Sequence, residues 1–173
     1  MSRAIIISGS LAQDHEFIYP YYRLLEEGFK VDVCLLEGKP VQGIAGTKIP
    51  PNKDQVVKKI EEISVNDYQI LVLPGGVKAM EKVRQNKKII NFISEFDKQK
   101  KIIACICSGA QLLISAKVVK GRKIAGYYSM KDDLINAGAI YTDLPAVVDA
   151  NIITTAHYKD MGPWMKAVIN KIS

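Results

Sequence analysis

The chain has 173 residues, of which 48% are hydrophobic and 24% charged, a composition and length that suit one globular domain with a substantial core and argue against disorder. The net charge of +6 comes from lysines spread along the chain, with no basic block interleaved with aromatic residues, so no nucleic-acid partner is indicated. No apolar run approaches the ~20 residues that span a bilayer and no secretory signal is visible, so we expect a single cytoplasmic domain over residues 1–173 with no membrane partner.

The three cysteines do not indicate a disulfide framework or a metal site. They stand at positions 34, 105 and 107, an odd count without metal-ligand spacing. We therefore expect no metal and no cofactor, and Cys34 is interpreted as a core residue.

The first half of the chain alternates predicted strands and helices. Buried strands are predicted over residues 4–7, 29–36 and 68–73, with a loop or small hairpin over 38–51. Apolar residues at helical spacing predict a helix over 14–27, capped by Asp14, kinked at Pro20 and ended by Gly28. A short amphipathic helix is predicted over 53–63.

The second half continues the alternation. Helices are predicted over 78–84, 87–100, 131–137 and 159–172. Short strands are predicted over 122–126 and 140–142, and a β-hairpin over 147–154. Strands alternating with helices indicate a mostly parallel sheet with helices on both faces.

The candidate site is centred on one stretch of the sequence, Lys101–Leu113. A buried strand stops at Cys107, and helix-forming residues follow directly. Small residues two before and two after the turn, Cys105 and Gly109, are what a nucleophile elbow needs, because strand and helix backbones pass closely there. A thiol at a helix N-terminus is favoured as thiolate. The alternative is that Cys107 is an inert core residue.

The predicted sheet brings three segments to one edge. Ser8-Gly9-Ser10, Gly75-Gly76 and Cys107 each follow a predicted strand. Ligands of parallel sheets bind beyond the carboxyl ends of the strands. These segments are therefore expected to share one cleft.

Several collinear motifs resemble the ThiJ/PfpI superfamily, and most closely its PfpI-type intracellular cysteine peptidases. The motifs are Glu16-Phe17-Ile18-Tyr19-Pro20-Tyr21-Tyr22-Arg23-Leu24, Leu73-Pro74-Gly75-Gly76, Cys107-Ser108-Gly109-Ala110-Gln111-Leu112-Leu113, Lys120-Gly121-Arg122-Lys123 and Lys131-Asp132-Asp133-Leu134-Ile135-Asn136-Ala137-Gly138-Ala139. The resemblance spans nearly the whole chain. It implies a single-domain, flavodoxin-like three-layer sandwich of the class I glutamine amidotransferase type, and a homo-oligomer.

The resemblance also implies a set of site residues, with two departures from the family pattern. Ser108 stands where relatives place a histidine base, and Gln13 stands where counting back from the motif places a glutamate bonded to the sulfur. Serine cannot act as a base near neutral pH, whereas an amide can still donate to a thiolate. Gly76 and Ser108 backbone N–H groups are implied as the oxyanion hole. Tyr127 resembles a residue near the sulfur, and Glu81 one that reaches a neighbouring subunit.

The chain offers two histidines as substitutes for the missing base. His15 adjoins Gln13 at a predicted helix start and is interpreted as structural. His157 follows the last predicted strand and is a candidate to supply an imidazole from another direction.

Three functions follow from the resemblance. The first is a cysteine-dependent hydrolase of peptide or amide bonds. The second is a glyoxalase- or deglycase-like enzyme that adds Cys107 to small aldehydes. The third is a non-catalytic redox or stress-response protein that senses by oxidation of Cys107. The substrate is a peptide in the first case and a small molecule in the second.

Overall fold

The computed structural model describes residues 1–173, and its central feature is a seven-stranded sheet. Its strands and their helices follow the chain as β1 (Arg3–Ser8), α1 (Asp14–Glu26), β2 (Lys30–Leu35), β3 (Val41–Gln42), β4 (Lys48–Ile49), β5 (Val57–Lys58), β6 (Ile70–Leu73), α2 (Val77–Val83), α3 (Lys87–Lys98), β7 (Ile102–Ile106), α4 (Ala110–Ser115), β8 (Lys123–Ile124), α5 (Lys131–Asn136), β9 (Ile140–Tyr141), β10 (Val147–Asp149), β11 (Ile152–Thr155) and α6 (Met161–Ile172). The spatial order is β10-β11-β7-β6-β1-β2-β5. Every neighbouring pair is parallel except β10 with β11.

The sheet is buried on both faces, which explains why its strands are apolar without alternation. In β1, Ala4 and Ile6 face one core while Ile5 and Ile7 face the other. The first core is covered by α1 and α6, and the second by α2, α3, α4 and α5. The result is the α/β architecture with helices on both faces that the sequence predicts.

Two local predictions are confirmed by strand pairing. The hairpin predicted over 147–154 is formed by antiparallel β10 and β11. The loop predicted over 38–51 contains a small hairpin of β3 and β4. By contrast, β8 and β9 pair with each other in a separate two-stranded sheet.

Two other local predictions are wrong. Residues 53–63 contain edge strand β5 and a 3-10 turn, Ile60–Glu62, instead of an amphipathic helix, because pairing with β2 extends the sheet there. The cap of α1 is Gln13 rather than Asp14: Glu16 N–H donates to Gln13 Oε1 over 3.0 Å. Asp14 is freed for contacts with the β3–β4 hairpin, and α1 continues through Pro20.

Candidate active site

The sheet register places the glycine pair and the cysteine side by side. Leu73 of β6 is aligned with Cys105 of β7, so Gly75 and Cys107, two residues further on, leave the sheet at the same edge. They lie beside a cavity of about 410 Å³. Its lining residues are Gln13, Glu16, Ile44, Gly76, Val77, Cys107, Ser108, Tyr127, Ser129, His157 and Tyr158. A larger groove of about 740 Å³ runs along α1, but no cysteine lines it.

The elbow has the backbone that its sequence predicts. Cys107 has φ +59°, a left-handed conformation that is strained for a residue with a side chain and is concentrated at functional sites. A methyl group added at Gly109 would lie 2.5 Å from the Leu73 carbonyl oxygen and 3.1 Å from Cys105 Sγ. Glycine is therefore required two residues after the turn.

The carboxyl beside the thiol belongs to Glu16. This side chain is fully buried, and Gly75 N–H donates to its Oε2 over 2.8 Å. Its Oε1 is buried without a hydrogen-bond partner, and the Cys107 thiol also acts on the pKa of this carboxyl. Burial raises the pKa of Glu16 to about 7, although the Gly75 N–H and the thiol oppose the shift.

Burial and Glu16 also act on the thiol. Burial first, and the charge of the Glu16 carboxylate second, raise the pKa of Cys107 to about 12. The expectation of a low thiol pKa from the helix N-terminus is thus wrong, mainly because the thiol is buried. Because the charge of one group raises the pKa of the other, the two titrate as a coupled pair.

Accessibility, and not pKa, separates the three cysteines. Cys34 and Cys105 are fully buried, whereas Cys107 is partly exposed. Burial also raises the pKa of Cys34 to about 12 and that of Cys105 well above its ordinary value. Only Cys107 opens to the cavity.

Gln13 lines the cavity but does not take the place predicted for it at the sulfur. Its Oε1 accepts from Glu16 N–H, and its Nε2 lies 3.1 Å from His15 Nδ1. Both polar ends of the amide are therefore engaged along α1. The structure corrects the assignment: the side chain next to Cys107 is Glu16, three residues later.

The glycine pair packs against the elbow so tightly that no side chain fits. A methyl group at Gly75 would lie 2.5 Å from Glu16 Oε2 and 2.9 Å from Cys107 Cβ. At Gly76, which has φ +103°, it would lie 2.6 Å from the Leu11 carbonyl oxygen. This packing brings the Gly76 backbone to the cavity beside Ser108.

Ser108 and Tyr127 both lie beside Cys107. Ser108 is buried, and its Oγ is 3.8 Å from Cys107 Sγ. The backbone N–H and the hydroxyl of Ser108 both lower the pKa of Cys107 against the larger opposing effects. Tyr127 N–H donates to the Cys107 carbonyl oxygen over 3.1 Å, and its ring is 38% exposed at the rim.

His157 reaches the cavity within a stack of aromatic rings. Its ring centroid is 4.0 Å from that of Tyr158 and 6.4 Å from those of Tyr127 and Tyr128. Lys159 N–H donates to His157 Nδ1 over 3.1 Å, which favours the neutral tautomer with the proton on Nε2. In that tautomer the donor of the ring is Nε2–H, the nitrogen that Lys159 does not use.

The remaining predicted residues lie outside the cavity. His15 is exposed and stacks on Tyr158 at 5.2 Å. Glu81 is exposed on α2 and is not among the residues that line the cavity of its own chain.

Sequence reasoning missed Glu16, Ile44, Val77, Ser129 and Tyr158 as cavity residues. For Glu16 a signal existed, since it is followed at helical spacing by Pro20 and Leu24, both buried. A carboxyl in an apolar stripe must be buried, and burial raises its pKa. For the other four the sequence carries no comparable signal.

A thiol on an elbow of an α/β sheet, paired with a buried carboxyl, defines a class of cysteine-centred α/β proteins. The profile of the DJ-1/PfpI family matches residues 2–171, and the chain belongs to that family.

Three known proteins illustrate the similarity. Deglycase PfpI of Pyrococcus furiosus is 36% identical over 96% of this chain and 97% of its own. Putative cysteine protease YraA of Bacillus subtilis is 34% identical over 91% of this chain and 90% of its own. A two-domain protein of Anabaena variabilis with dj-1/thij/pfpi-like and ferritin-like domains superposes with a TM-score of 0.92 at 29% identity, over 99% of this chain but only 48% of that chain.

The helices give no sign of a membrane span. None combines the length with the apolar character that crossing a bilayer requires.

Proposed function

We propose that the protein is a cysteine-dependent enzyme that acts on small aldehydes, or on the adducts they form with amino groups, with Cys107 as nucleophile and Glu16 as acid and base. The observation that carries the proposal is the buried Glu16 carboxyl beside the thiol, with a pKa of about 7. A general acid or base works best when its pKa is near the working pH. The similarity to a protein named deglycase supports the same substrate class.

In the proposed reaction the Cys107 thiol acts as the nucleophile and the Glu16 carboxyl transfers protons. The Cys107 thiol adds to the carbonyl carbon, and its proton passes to the carbonyl oxygen by way of Glu16. The new sulfur–carbon bond holds the substrate in the cavity, where Glu16, again ionised, is placed to take the proton from the carbon bound to sulfur. For an aldehyde with a neighbouring carbonyl group, the electron pair moves towards that carbonyl and the proton returns to the neighbouring carbon, which leaves a thioester that water hydrolyses to free Cys107. A carboxyl with an ordinary pKa holds a proton poorly at pH 7 and would pass it on less well.

The backbone supplies the stabilisation of the developing negative charge. Gly76 and Ser108 both border the cavity at the elbow, and the Ser108 N–H lowers the pKa of Cys107, which supports a place for this donor near the reacting atoms. We assign the oxyanion to these two N–H groups. His157 and Tyr127 line the same cavity, and we assign them to substrate binding.

An activity screen tests the proposal. Wild type, Cys107→Ala and the matched control Cys34→Ala are compared on methylglyoxal, on methylglyoxal adducts of N-acetyl-lysine and on peptides. We expect turnover of the aldehyde or the adduct that disappears in Cys107→Ala and persists in Cys34→Ala. Turnover of peptides alone would overturn the proposal.

Peptide or amide hydrolysis is the second candidate, favoured by the similarity to a protein named putative cysteine protease. Expulsion of an amine requires a proton at the leaving nitrogen, and Ser108 cannot provide it. His157 is the candidate donor, because its Nδ1 accepts from Lys159 N–H and this leaves the proton on Nε2. The resemblance in sequence favours the hydrolase, whereas the buried carboxyl next to the thiol favours aldehyde chemistry.

We also propose a homo-oligomer in which Glu81 reaches a neighbouring subunit. The exposure of Glu81, away from the cavity of its own chain, supports this role. Light scattering at micromolar concentration is expected to give a mass above that of one chain. A strict monomer would remove any role for Glu81 at a neighbouring site.

A further inference from the structure

The loop between β3 and β4 forms one wall of the thiol cavity and is tied to α1 by a single carboxyl. Asp14 is only 2% exposed. Its Oδ2 accepts from Ala45 N–H over 2.7 Å, its Oδ1 accepts from Thr47 N–H over 3.1 Å, and the Thr47 hydroxyl donates to Oδ1 as well. Three donors of one loop thus converge on one side chain.

The backbone at both ends of the loop supports the same placement. Ile44 N–H donates to the Ala12 carbonyl oxygen over 3.0 Å, and Gly43 N–H donates to the Thr47 carbonyl oxygen over 2.9 Å. A methyl group at Gly43 would lie 2.1 Å from Asp14 Oδ1, so the loop passes directly over the carboxyl. Between these tethers, the Ile44 side chain is held at the cavity.

Ile44 is the most exposed of the four exposed apolar side chains that line the thiol cavity, the others being Val77, Tyr127 and Tyr158. It is 56% exposed and yet lines the cavity that contains Cys107. An isoleucine costs free energy when left in water, and its place on a loop fixed by a buried carboxyl is not explained by core packing. The remaining cavity wall carries no charged side chain except the buried Glu16.

We infer that Asp14 is a positioning residue that fixes Ile44 as an apolar part of the wall of the thiol cavity, and that this wall selects carbonyl compounds whose substituent is uncharged and apolar. The inference rests on the proposed role of Cys107 as nucleophile. It specifies the substituent by which a substrate is recognised, and it does not depend on which bond the enzyme breaks. Asp14 acts only through the loop and does not touch the substrate.

Alkylation of Cys107 tests the inference without any turnover. Iodoacetamide and N-benzyl iodoacetamide share one reactive group and differ by an apolar substituent, and their rates at Cys107 are measured by mass spectrometry and divided by their rates with N-acetylcysteine. We expect the benzyl reagent to be favoured in the wild type. Ile44→Ala is expected to reduce that preference about fourfold, the factor for losing about one methylene group of contact.

Three further variants separate positioning from simple stability. Asp14→Asn keeps the size of the side chain but replaces one acceptor with a donor, and should reduce the preference as much as Ile44→Ala does. The double variant should show no further loss, because Asp14 acts through Ile44. Ile140→Ala, at an isoleucine that is 54% exposed outside the cavity, should leave the preference unchanged.

The outcomes are distinct. An unchanged preference in Asp14→Asn with a lowered melting temperature would reduce Asp14 to a structural role and overturn the inference. Should Asp14→Asn fail to fold, Thr47→Val removes only the hydroxyl donor and should give a smaller loss of preference in the same direction. No loss in Thr47→Val and in Ile44→Ala would likewise overturn it, while aldehyde turnover could still be present.

Discussion

The two walls of the thiol cavity differ in burial and, we infer, in task. On one side Glu16 is fully buried and bonded to the Gly75 backbone. On the other side the rings of Tyr127 and Tyr158 are 38% and 43% exposed around His157. Removal from water is what moves the pKa of a carboxyl into the neutral range, whereas stacking and hydrogen bonding to a substrate tolerate exposure. Proton transfer therefore belongs to the buried wall and recognition to the rim.

The difference between the two walls predicts that substitution of Glu16 causes the largest loss of activity. Glu16→Gln keeps an oxygen for the Gly75 N–H but removes the proton-transferring group, so kcat for the aldehyde should fall by at least ~100-fold, the usual contribution of a general acid or base. Gln13→Ala serves as the matched control on the same wall and should fall by less than about tenfold, since it loses only hydrogen bonds. Steady-state kinetics decide between them. A larger loss of kcat in Gln13→Ala than in Glu16→Gln would indicate that Gln13 acts at the sulfur, as the sequence suggested.

The same substitution should make the protein more stable at alkaline pH. The folded-state pKa of Glu16 is raised from 4.5 to about 7, so the favourable neutral form is fully present below the unfolded pKa and is lost as pH rises through 7. Glu16→Gln cannot ionise and should exceed the wild type by up to about 3 kcal/mol in the free energy of unfolding at pH 8, with no such gain at pH 4. Urea unfolding at the two pH values measures the gain.

An exposed glutamate on the same helix provides the control. Glu26 has a side chain that is 74% exposed and is paired only with Arg23 at the surface. Glu26→Gln should therefore shift stability by less than ~1 kcal/mol at either pH. An equal alkaline gain in both variants would mean that general surface charge, and not the burial of Glu16, is responsible.

Glu16 and Gln13 also show how far the sequence leads. The strand–elbow–helix unit follows from Cys105, Cys107 and Gly109, because the close passage of two backbones constrains residue size. Gln13 and Glu16 are three residues apart and hence on one side of a helix, and both do line the cavity. Gln13 caps α1, and its side chain folds back onto the helix, which leaves Glu16 as the side chain next to the sulfur. The family resemblance therefore placed the acid one helical turn too early.

The low thiol pKa was mispredicted for a related reason. A helix N-terminus is visible in the sequence as an elbow, but the depth at which Cys107 lies and the carboxyl next to it are set by the packing of α1 over the sheet. Segment 53–63 failed in the same way, since its apolar spacing fits a helix while its pairing with β2 is a tertiary contact.

Labelling kinetics offer a third test, specific to the buried wall. Burial and the Glu16 carboxylate raise the pKa of Cys107 to about 12, so the thiolate fraction is still growing at pH 10. The rate of alkylation by iodoacetamide should therefore rise by up to about tenfold per pH unit between pH 8 and pH 10, without a plateau. Mass spectrometry should find Cys107 labelled before Cys34 and Cys105, which are buried. A rate that levels off near pH 8 would show a thiol whose pKa is not raised by the buried wall.

The smallest effect is expected on the exposed wall. His157→Ala removes a ring that packs on Tyr158 and lines the cavity. It should raise KM for the aldehyde less than about tenfold and leave kcat and Cys107 alkylation nearly unchanged, as expected for a group that binds the substrate without transferring protons. His15→Ala is the matched control, since His15 also stacks on Tyr158 but does not line the cavity. If His157→Ala instead abolished kcat, the imidazole would be the proton donor, as amide hydrolysis requires, and the division between a buried chemical wall and an exposed binding wall would fail.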